Sequence, residues 1–445
     1  MILKRFSLAA AAAALSAAAA PAPLGAHADA TRQADTVLET FTGATADPRF
    51  QAFGSACLTG APQGTPPGPG LHPLGGCSST PAGPVPPGSG APFGYLQLTD
   101  ASENQAGAVL LNSPTPSSRG VDVTFEQWQY GNTSGDAADG LSFFLVDGAA
   151  TLTQPGAFGG SLGYAQKLPD DDPQNTFLPG VNGGYLGIGF DVFGGFYGDA
   201  EQRGDGCALR SPAGTTPDRP PGPNMVTVRG PGNGTAGYCF LTATTSNFSA
   251  TGARPSTLPG RLHGPLTDIS SDPETAQADL EPSKRTVRIR ITPAPNPIVT
   301  VDVDFNDGAG FQQVLSFPAP QPVPASYLFG FAASTGGATD VHLIRNVRIA
   351  ELASSPPAPS PSAPGPSVPM EPAQLSSAST ASPAAHETGG AVRHKKENFV
   401  GFVATMDRSK LHKKLREIHA LLEQAKHRHL GRNVNAKRPR SAGPR

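Results

Sequence analysis

Apolar and polar residues alternate with period two over Val121-Asp122-Val123-Thr124-Phe125-Glu126 and again over Thr286-Val287-Arg288-Ile289-Arg290-Ile291-Thr292. Successive side chains of a strand point to opposite faces, so Val121, Val123 and Phe125 share one face, while Val287, Ile289 and Ile291 turn inward and the arginines outward. A further alternating run covers 298–305, and Asn306-Asp307-Gly308 between it and Phe311 is a hairpin turn signal. Leu141-Ser142-Phe143-Phe144-Leu145 is mostly apolar instead, which predicts a strand covered on both faces, as in the middle of a sandwich. Other short strands are predicted over 36–41 (an edge), 95–99, 107–111, 224–229, 238–241, 327–333 and 341–349. Two-faced strands joined by tight turns mean antiparallel sheets and an all-β fold.

Between these strands the pattern breaks down. Residues 60–94 are dense in Pro and Gly without apolar periodicity and are predicted as a long loop. Residues 246–282 read as a surface excursion. From Ser354 to about Pro383 the composition collapses to Pro, Ser and Ala, as in a disordered, semi-rigid linker. Beyond it, Asp407 can cap a helix whose Leu411, Leu415, Ile418, Leu422 and Ala425 form one stripe, with Gly431 as its stop.

Composition narrows the class. Gly 53 and Pro 48 in 445 residues are too many for a helical protein. Lys4 and Arg5, the apolar run from Phe6 to Ala20 and the small-residue end Ala26-His27-Ala28 have the pattern of an export signal, which places the protein outside the cell or at its surface. Cys57, Cys77, Cys207 and Cys239 suit that oxidising setting. Four cysteines allow three pairings, and the sequence does not choose among them. The sequence-local pairs, Cys57 with Cys77 and Cys207 with Cys239, are favoured because each closes a Gly/Pro-rich loop with little structure of its own.

The formal net charge of −2 hides a split. Residues 393–445 carry 15 Lys/Arg against 4 Asp/Glu, a balance of +11, which leaves −13 for the rest. Such a basic segment is either a solvated tail, an electrostatic attachment to an anionic cell-envelope polymer, or a self-association element through its leucine stripe. Nucleic acid would match the same charge, but an exported protein rarely meets it.

Three blocks occur in a fixed order: Asp139-Gly140-Leu141-Ser142-Phe143-Phe144, Gly159-Gly160-Ser161-Leu162-Gly163 and Gly187-Ile188-Gly189-Phe190-Asp191-Val192-Phe193. A fourth, Ala333-Ser334-Thr335-Gly336-Gly337 followed by a strand through His342, completes the set. In this order they resemble the L-type (legume-like) lectins, the bacterial members most. The resemblance covers roughly 36–352 and implies a concanavalin A-like jelly-roll sandwich that binds carbohydrate without catalysis. The implied organisation is a signal over 1–28, a lectin-like β-sandwich over 36–352, a linker over 353–392 and a basic tail over 393–445 with a helix at about 407–430.

By the same resemblance Asp139 is the acceptor for sugar hydroxyls, preceded by a cis peptide at Ala138–Asp139. Gly160, or Gly159 beside it, supplies a backbone N–H, and Gly337 and Ala338 lie in the loop that supplies others. A β-turn that needs positive φ explains the paired glycines equally well. The metal loop departs from the family pattern. Its calcium ligands fall on Asp191, the Phe193 carbonyl and Asp199, with Asp205 as a further candidate, but the expected asparagine is Gly195, which is also a sugar-contact position. The glutamate for a second, transition metal falls on Gly189 and its histidine is missing, so a manganese ion lacks its ligands. Calcium tolerates carbonyl and water ligands and is the ion expected, although an aspartate at a strand end is equally compatible with a turn hydrogen bond.

The same scaffold also hosts glycosidases, which need two carboxylates facing across a cleft. No Glu-x-Asp-x-x-Glu strand occurs; Glu126 is isolated, and Asp302 and Asp304 fall where a solvent face is expected. A structural or adhesive surface domain that kept the fold and lost sugar affinity is the other reading, motivated by Gly189 and Gly195.

Overall fold

In the computed structural model, residues 37–215 and 221–352 are described. The expected export signal, linker, basic tail and tail helix lie outside the described residues. Within them, two antiparallel sheets stack as a sandwich, one of eight strands and one of nine. The first, the back sheet, runs in the order Gln312–Pro318, Ile298–Asp304, Lys284–Ile291, Val121–Tyr130, Val341–Glu351, Leu96–Thr99, Cys57–Leu58, with Val37–Glu39 added against Val341–Glu351. The front sheet is centred on Gly140–Asp147, flanked by Gly184–Asp191 on one side and by Ser326–Ser334, Ala106–Pro116 and Phe50–Gly54 on the other. Met225–Arg229 pairs with Gly184–Asp191, and Phe240–Ala243 pairs with Met225–Arg229.

The period-two strands behave as their pattern predicts. Lys284–Ile291 alternates half-buried and buried residues along its length, with Val287, Ile289 and Ile291 in the core between the sheets. Phe125 reaches across from the back sheet and meets the rings of Phe331, Phe190 and Phe143 at centroid distances of 4.9, 6.0 and 6.4 Å. Truncating such a ring costs about 3–5 kcal/mol. On the outward face of the back sheet Arg288 grips Asp122 with two hydrogen bonds of 3.0 and 2.6 Å, and Arg290 reaches Asp302 at 2.8 Å. Asp302, expected on a solvent face, is therefore only 6% exposed.

The front sheet is buried on both faces, which is why its strands read as nearly continuous apolar runs. Leu141, Phe143 and Leu145 face the back sheet, whereas Phe144 and Val146 belong to a second core with Leu162, Tyr164, Val181, Phe196 and Tyr238. Those covering residues come from the segments that follow Asp147, Asp191 and Arg229. Glycines make room for them: a Cβ on Gly187 would lie 2.3 Å from Tyr164 Cδ1, and one on Gly189 would lie 2.5 Å from Phe196 Cδ1. Both sequence-local disulfides form, Cys57–Cys77 with its Cα atoms 5.0 Å apart and Cys207–Cys239 with 5.7 Å.

One element was not expected. Within the surface excursion, Pro273–Leu280 is a short helix capped by Asp272, whose side chain accepts from the Thr275 N–H at 3.0 Å. Its last carbonyl, on Leu280, accepts from Trp128 Nε1 at 3.0 Å. Among the described residues, no helix is long and apolar enough to cross a membrane.

Candidate functional site

Register brings three strand ends to one rim. Gly140 pairs with Asp191 on one side and with Ser334 on the other. The residue before it, Asp139, follows a cis peptide at Ala138–Asp139, as the resemblance implies. Its own backbone is held from both sides: its N–H donates to Ser334 O at 3.0 Å and its carbonyl accepts from Phe193 N–H at 3.0 Å. The turn after Phe158 is clamped to the same place, because Gly159 N–H donates to Thr335 O at 3.1 Å and Ser334 Oγ donates to Gly159 O at 2.6 Å.

The sequence candidates thus converge, with one substitution among the glycines. A Cβ on Gly159 would lie 3.9 Å from Asp139 Oδ2, and one on Gly195 would lie 3.9 Å from Asp139 Oδ1. Gly160 and Gly195 touch backbone to backbone, since a Cβ on Gly195 would come within 2.8 Å of Gly160 Cα. An asparagine at position 195 has no room in that arrangement. In the last loop it is Gly336 that approaches the carboxylate: its Cβ would sit 3.2 Å from Asp139 Oδ2, whereas Gly337 is exposed with nothing within 4 Å and Ala338 is half-buried. Gly336 and Gly337 are indistinguishable by pattern, and only the loop's path separates them.

Asp139 is 5% exposed, and its Oδ2 is buried without a hydrogen-bond partner among the described residues. Burial pushes its pKa up to about 8, Asp191 adds to the rise, and Arg203 and Lys167 oppose it. The surrounding charges were not read from the sequence. Lys167 Nζ pairs with Glu201 at 3.0 Å and lies 4.0 Å from the centre of the Phe158 ring, and Arg203 pairs with Glu201 at 3.2 Å. Both cations come from loops without periodicity. Lys167, a few residues beyond the Gly-Gly turn, was the one available hint, and nothing local points to Arg203.

The two aspartates expected to hold calcium are engaged elsewhere. Asp191 is fully buried; its Oδ1 accepts from Gly194 N–H and its Oδ2 from Phe196 N–H, each at 2.7 Å. Burial raises its pKa to about 7 against those two bonds. Asp199 accepts from Ser211 N–H at 2.7 Å and from Arg229 Nη2 at 2.9 Å. Asp205 pairs with Arg210 at 3.1 Å. Calcium takes about six to eight oxygens at roughly 2.3–2.6 Å. Here the carboxylate oxygens already accept strong donors, and a guanidinium supplies positive charge beside Asp199, so the residues present do not fit the ion. Gly189, where the second metal's glutamate was expected, faces the Phe196 ring. Among the described residues no group of three or more His, Cys, Asp or Glu is placed to hold a metal.

Beside the rim, Asp136, Ala137, Val192, Phe193, Asn224 and His263 border an open hollow of about 590 Å³. His263 Nε2 lies 3.2 Å from Oδ1 of the buried Asp340, which fixes the ring at the hollow's edge.

No protein-family model and no curated protein sequence matches the chain. Solved structures similar to it include the exoplasmic/lumenal domain of VIP36 in a Ca2+/Man-bound form, at 14% identity over 73% of this chain and 92% of that chain, with a TM-score of 0.39. Basic winged bean lectin with Tn-antigen is similar at 14% identity over 71% of this chain and 98% of that chain, TM-score 0.39. Peanut lectin with a 9mer peptide is similar at 16% identity over 72% of this chain and 100% of that chain, TM-score 0.38. Likenesses this distant add nothing to the assignment of an antiparallel β-sandwich, which rests on the strand order and register above.

Proposed function

We propose that the protein is an exported, lectin-like protein that binds carbohydrate non-covalently at the rim formed by Asp139, Gly159, Gly160, Gly195 and the Gly336–Ala338 loop. The observation that carries the reading is Asp139 itself: a carboxyl group fixed through its backbone on both sides, with an oxygen that takes no hydrogen bond from the described residues. An unpaired buried polar atom is costly, and saccharide hydroxyls, which both donate and accept, would satisfy it. Glycines on three sides present backbone instead of side chains around Asp139, so a flat ring can approach the backbone there. The hollow beside Phe193 gives the remainder of an oligosaccharide a place to lie. The basic segment over 393–445 would then add attachment to an anionic envelope polymer.

Asp139 and Asp191 belong to one buried charge cluster and are not placed as acid and nucleophile on an open cleft, which supports binding over hydrolysis. A second reading, a surface scaffold without sugar affinity, is favoured by Gly195 alone, because that position offers no side chain to a ligand. A glycan array probed with the purified protein and with Asp139→Asn separates the two. Saturable binding lost in the variant supports the lectin, and an absence of binding to every glycan supports the scaffold.

A further inference from the structure

Arg229 ends the strand Met225–Arg229 opposite Gly187, and its side chain is 0% exposed. Burial pulls its pKa down, and Asp199 holds it up. A guanidinium so deep in a protein is tolerated only when its donors are satisfied. Four of them are. Nε donates to Phe196 O at 2.8 Å, Nη1 to Tyr238 O at 2.9 Å, and Nη2 to Gly198 O at 2.6 Å and to Asp199 Oδ1 at 2.9 Å.

Three of these acceptors lie in the one segment that carries Gly195 to the rim. That segment has little regular structure of its own, two short 3-10 turns over Gly195–Tyr197 and Ala200–Gln202. Arg203 adds a second guanidinium, donating from Nε to Gly198 O at 3.2 Å, with its Cζ 3.2 Å from where a Cβ on Gly160 would sit. Carbonyl oxygens and a carboxylate turned inward on one cation are the arrangement a hard metal ion would gather. In this chain an amino-acid side chain stands at their centre, and the Phe196 ring closes the space next to Gly189.

We propose that Arg229 is a built-in cation that positions the 192–203 rim segment, so that the carbohydrate site holds its shape without calcium. Arg229 touches no ligand; it acts through Phe196, Gly198 and Asp199 on the neighbouring Gly195, whose backbone meets Gly160 beside Asp139. The dependence on calcium seen from sequence position alone is thereby replaced by a covalently attached charge. The proposal rests on the carbohydrate-binding reading for its consequence, but its structural half can be tested without any glycan.

The test is thermal melting of the full chain in EDTA and in millimolar CaCl2 or MnCl2, together with glycan affinity under the same conditions. The expected result is one Tm throughout and, for any glycan bound, one affinity throughout. A Tm that falls in EDTA, or climbs with calcium concentration, overturns the proposal whether or not a glycan binds. Arg229→Lys keeps the charge but cannot reach all four acceptors. It is expected to lower Tm on the order of 10 °C, and to weaken glycan binding about tenfold at 4 °C, a loss calcium does not restore. Wild-type affinity in folded Arg229→Lys would overturn the positioning role. Asp199→Asn, which keeps one acceptor oxygen, is expected to act in the same direction and serves if the lysine variant does not fold. If the wild type binds no glycan at all, the carbohydrate reading fails, and the melting arm still decides the role of Arg229.

Discussion

Phe196 Cδ1 lies 2.5 Å from the point a Cβ on Gly189 would occupy, with Leu162 Cδ1 at 2.8 Å from the same point. The strand Gly184–Asp191 therefore needs glycine at position 189 for packing, since two side chains of the covering layer rest directly on its backbone. Gly189→Ala forces the Phe196 ring to shift, and overpacking of this kind costs about 1–3 kcal/mol. Thermal melting should show a loss of several degrees. Gly189→Glu, which restores the acid expected of a two-metal site, should destabilise further and gain nothing from added Mn2+ or Ca2+. A metal-dependent rise in its Tm would show that the covering layer yields to an ion.

Asp139 and Asp191 give stability a pH dependence of known sign. Both carboxyls have pKa values raised from the ordinary 3.8, Asp139 to about 8 and Asp191 to about 7, chiefly by burial. The folded state thus holds protons that the unfolded state has released. Their stabilising contribution is complete below 3.8 and is lost as pH rises through about 7 and then about 8. Urea unfolding from pH 5 to 9 should show stability falling across that window. Asp139→Asn removes one of the two titrations, so its decline should be shallower while its glycan binding is abolished. Parallel declines in the two proteins would show that Asp139 does not bear a raised pKa.

The strands were legible because burial on one face imposes a period of two, and Lys284–Ile291 follows it residue by residue. Asp139 was singled out by resemblance alone, since an acid at a strand mouth serves equally well to end the strand or to accept from a turn amide; the cis peptide that the resemblance implies before it is present. Arg229 was not legible. In Met225-Val226-Thr227-Val228-Arg229 the alternation puts Thr227 and Arg229 on the outer face, where an arginine is unremarkable. Its burial depends on the 193–206 segment folding over it, a non-local event that the strand's own pattern does not encode. The same holds in part for calcium. Asp191 takes its donors from the local turn at Gly194 and Phe196, the alternative that a strand-end aspartate left open, whereas Ser211 and Arg229, which occupy Asp199, are brought to it only by the fold. The helix Pro273–Leu280 was readable in principle, since Asp272 before Pro273 is an N-cap followed by proline in the first turn.

The two disulfides should separate stability from binding. Cys207–Cys239 spans 32 residues and ties the rim segment to the neighbour of Tyr238, whose carbonyl accepts from Arg229. Cys57–Cys77 spans 20 residues and sits at the edge of the back sheet, where Cys57 pairs with Gln97. Loops of these lengths restrict the unfolded chain by about 3–4 kcal/mol each. Double serine variants of either pair should therefore lose comparable stability in urea titrations. Only the Cys207→Ser, Cys239→Ser protein should also lose glycan affinity at temperatures where it remains folded. Equal loss of affinity in both would show that the rim does not depend on the second bridge.

Gly336 and Gly337 offer the sharpest test of where the ligand sits. Neither needs a left-handed backbone, so alanine introduces no backbone strain at either position and the contacts of the added methyl decide the outcome. At Gly336 that methyl would stand 3.2 Å from Asp139 Oδ2 and 3.6 Å from Gly159 Cα, in the space between the carboxylate and the Gly159 turn. At Gly337 it would meet nothing within 4 Å. A saccharide hydroxyl that pairs with Asp139 Oδ2 would use that space, so Gly336→Ala should weaken glycan binding by about tenfold or more, the cost of one displaced hydrogen bond. Its Tm should stay near that of the wild type. Gly337→Ala should leave Tm unchanged and cost less affinity than Gly336→Ala, as titration calorimetry with the best glycan from the array would show. Retained affinity in Gly336→Ala would place the sugar away from Asp139 Oδ2 and remove the main support for the site.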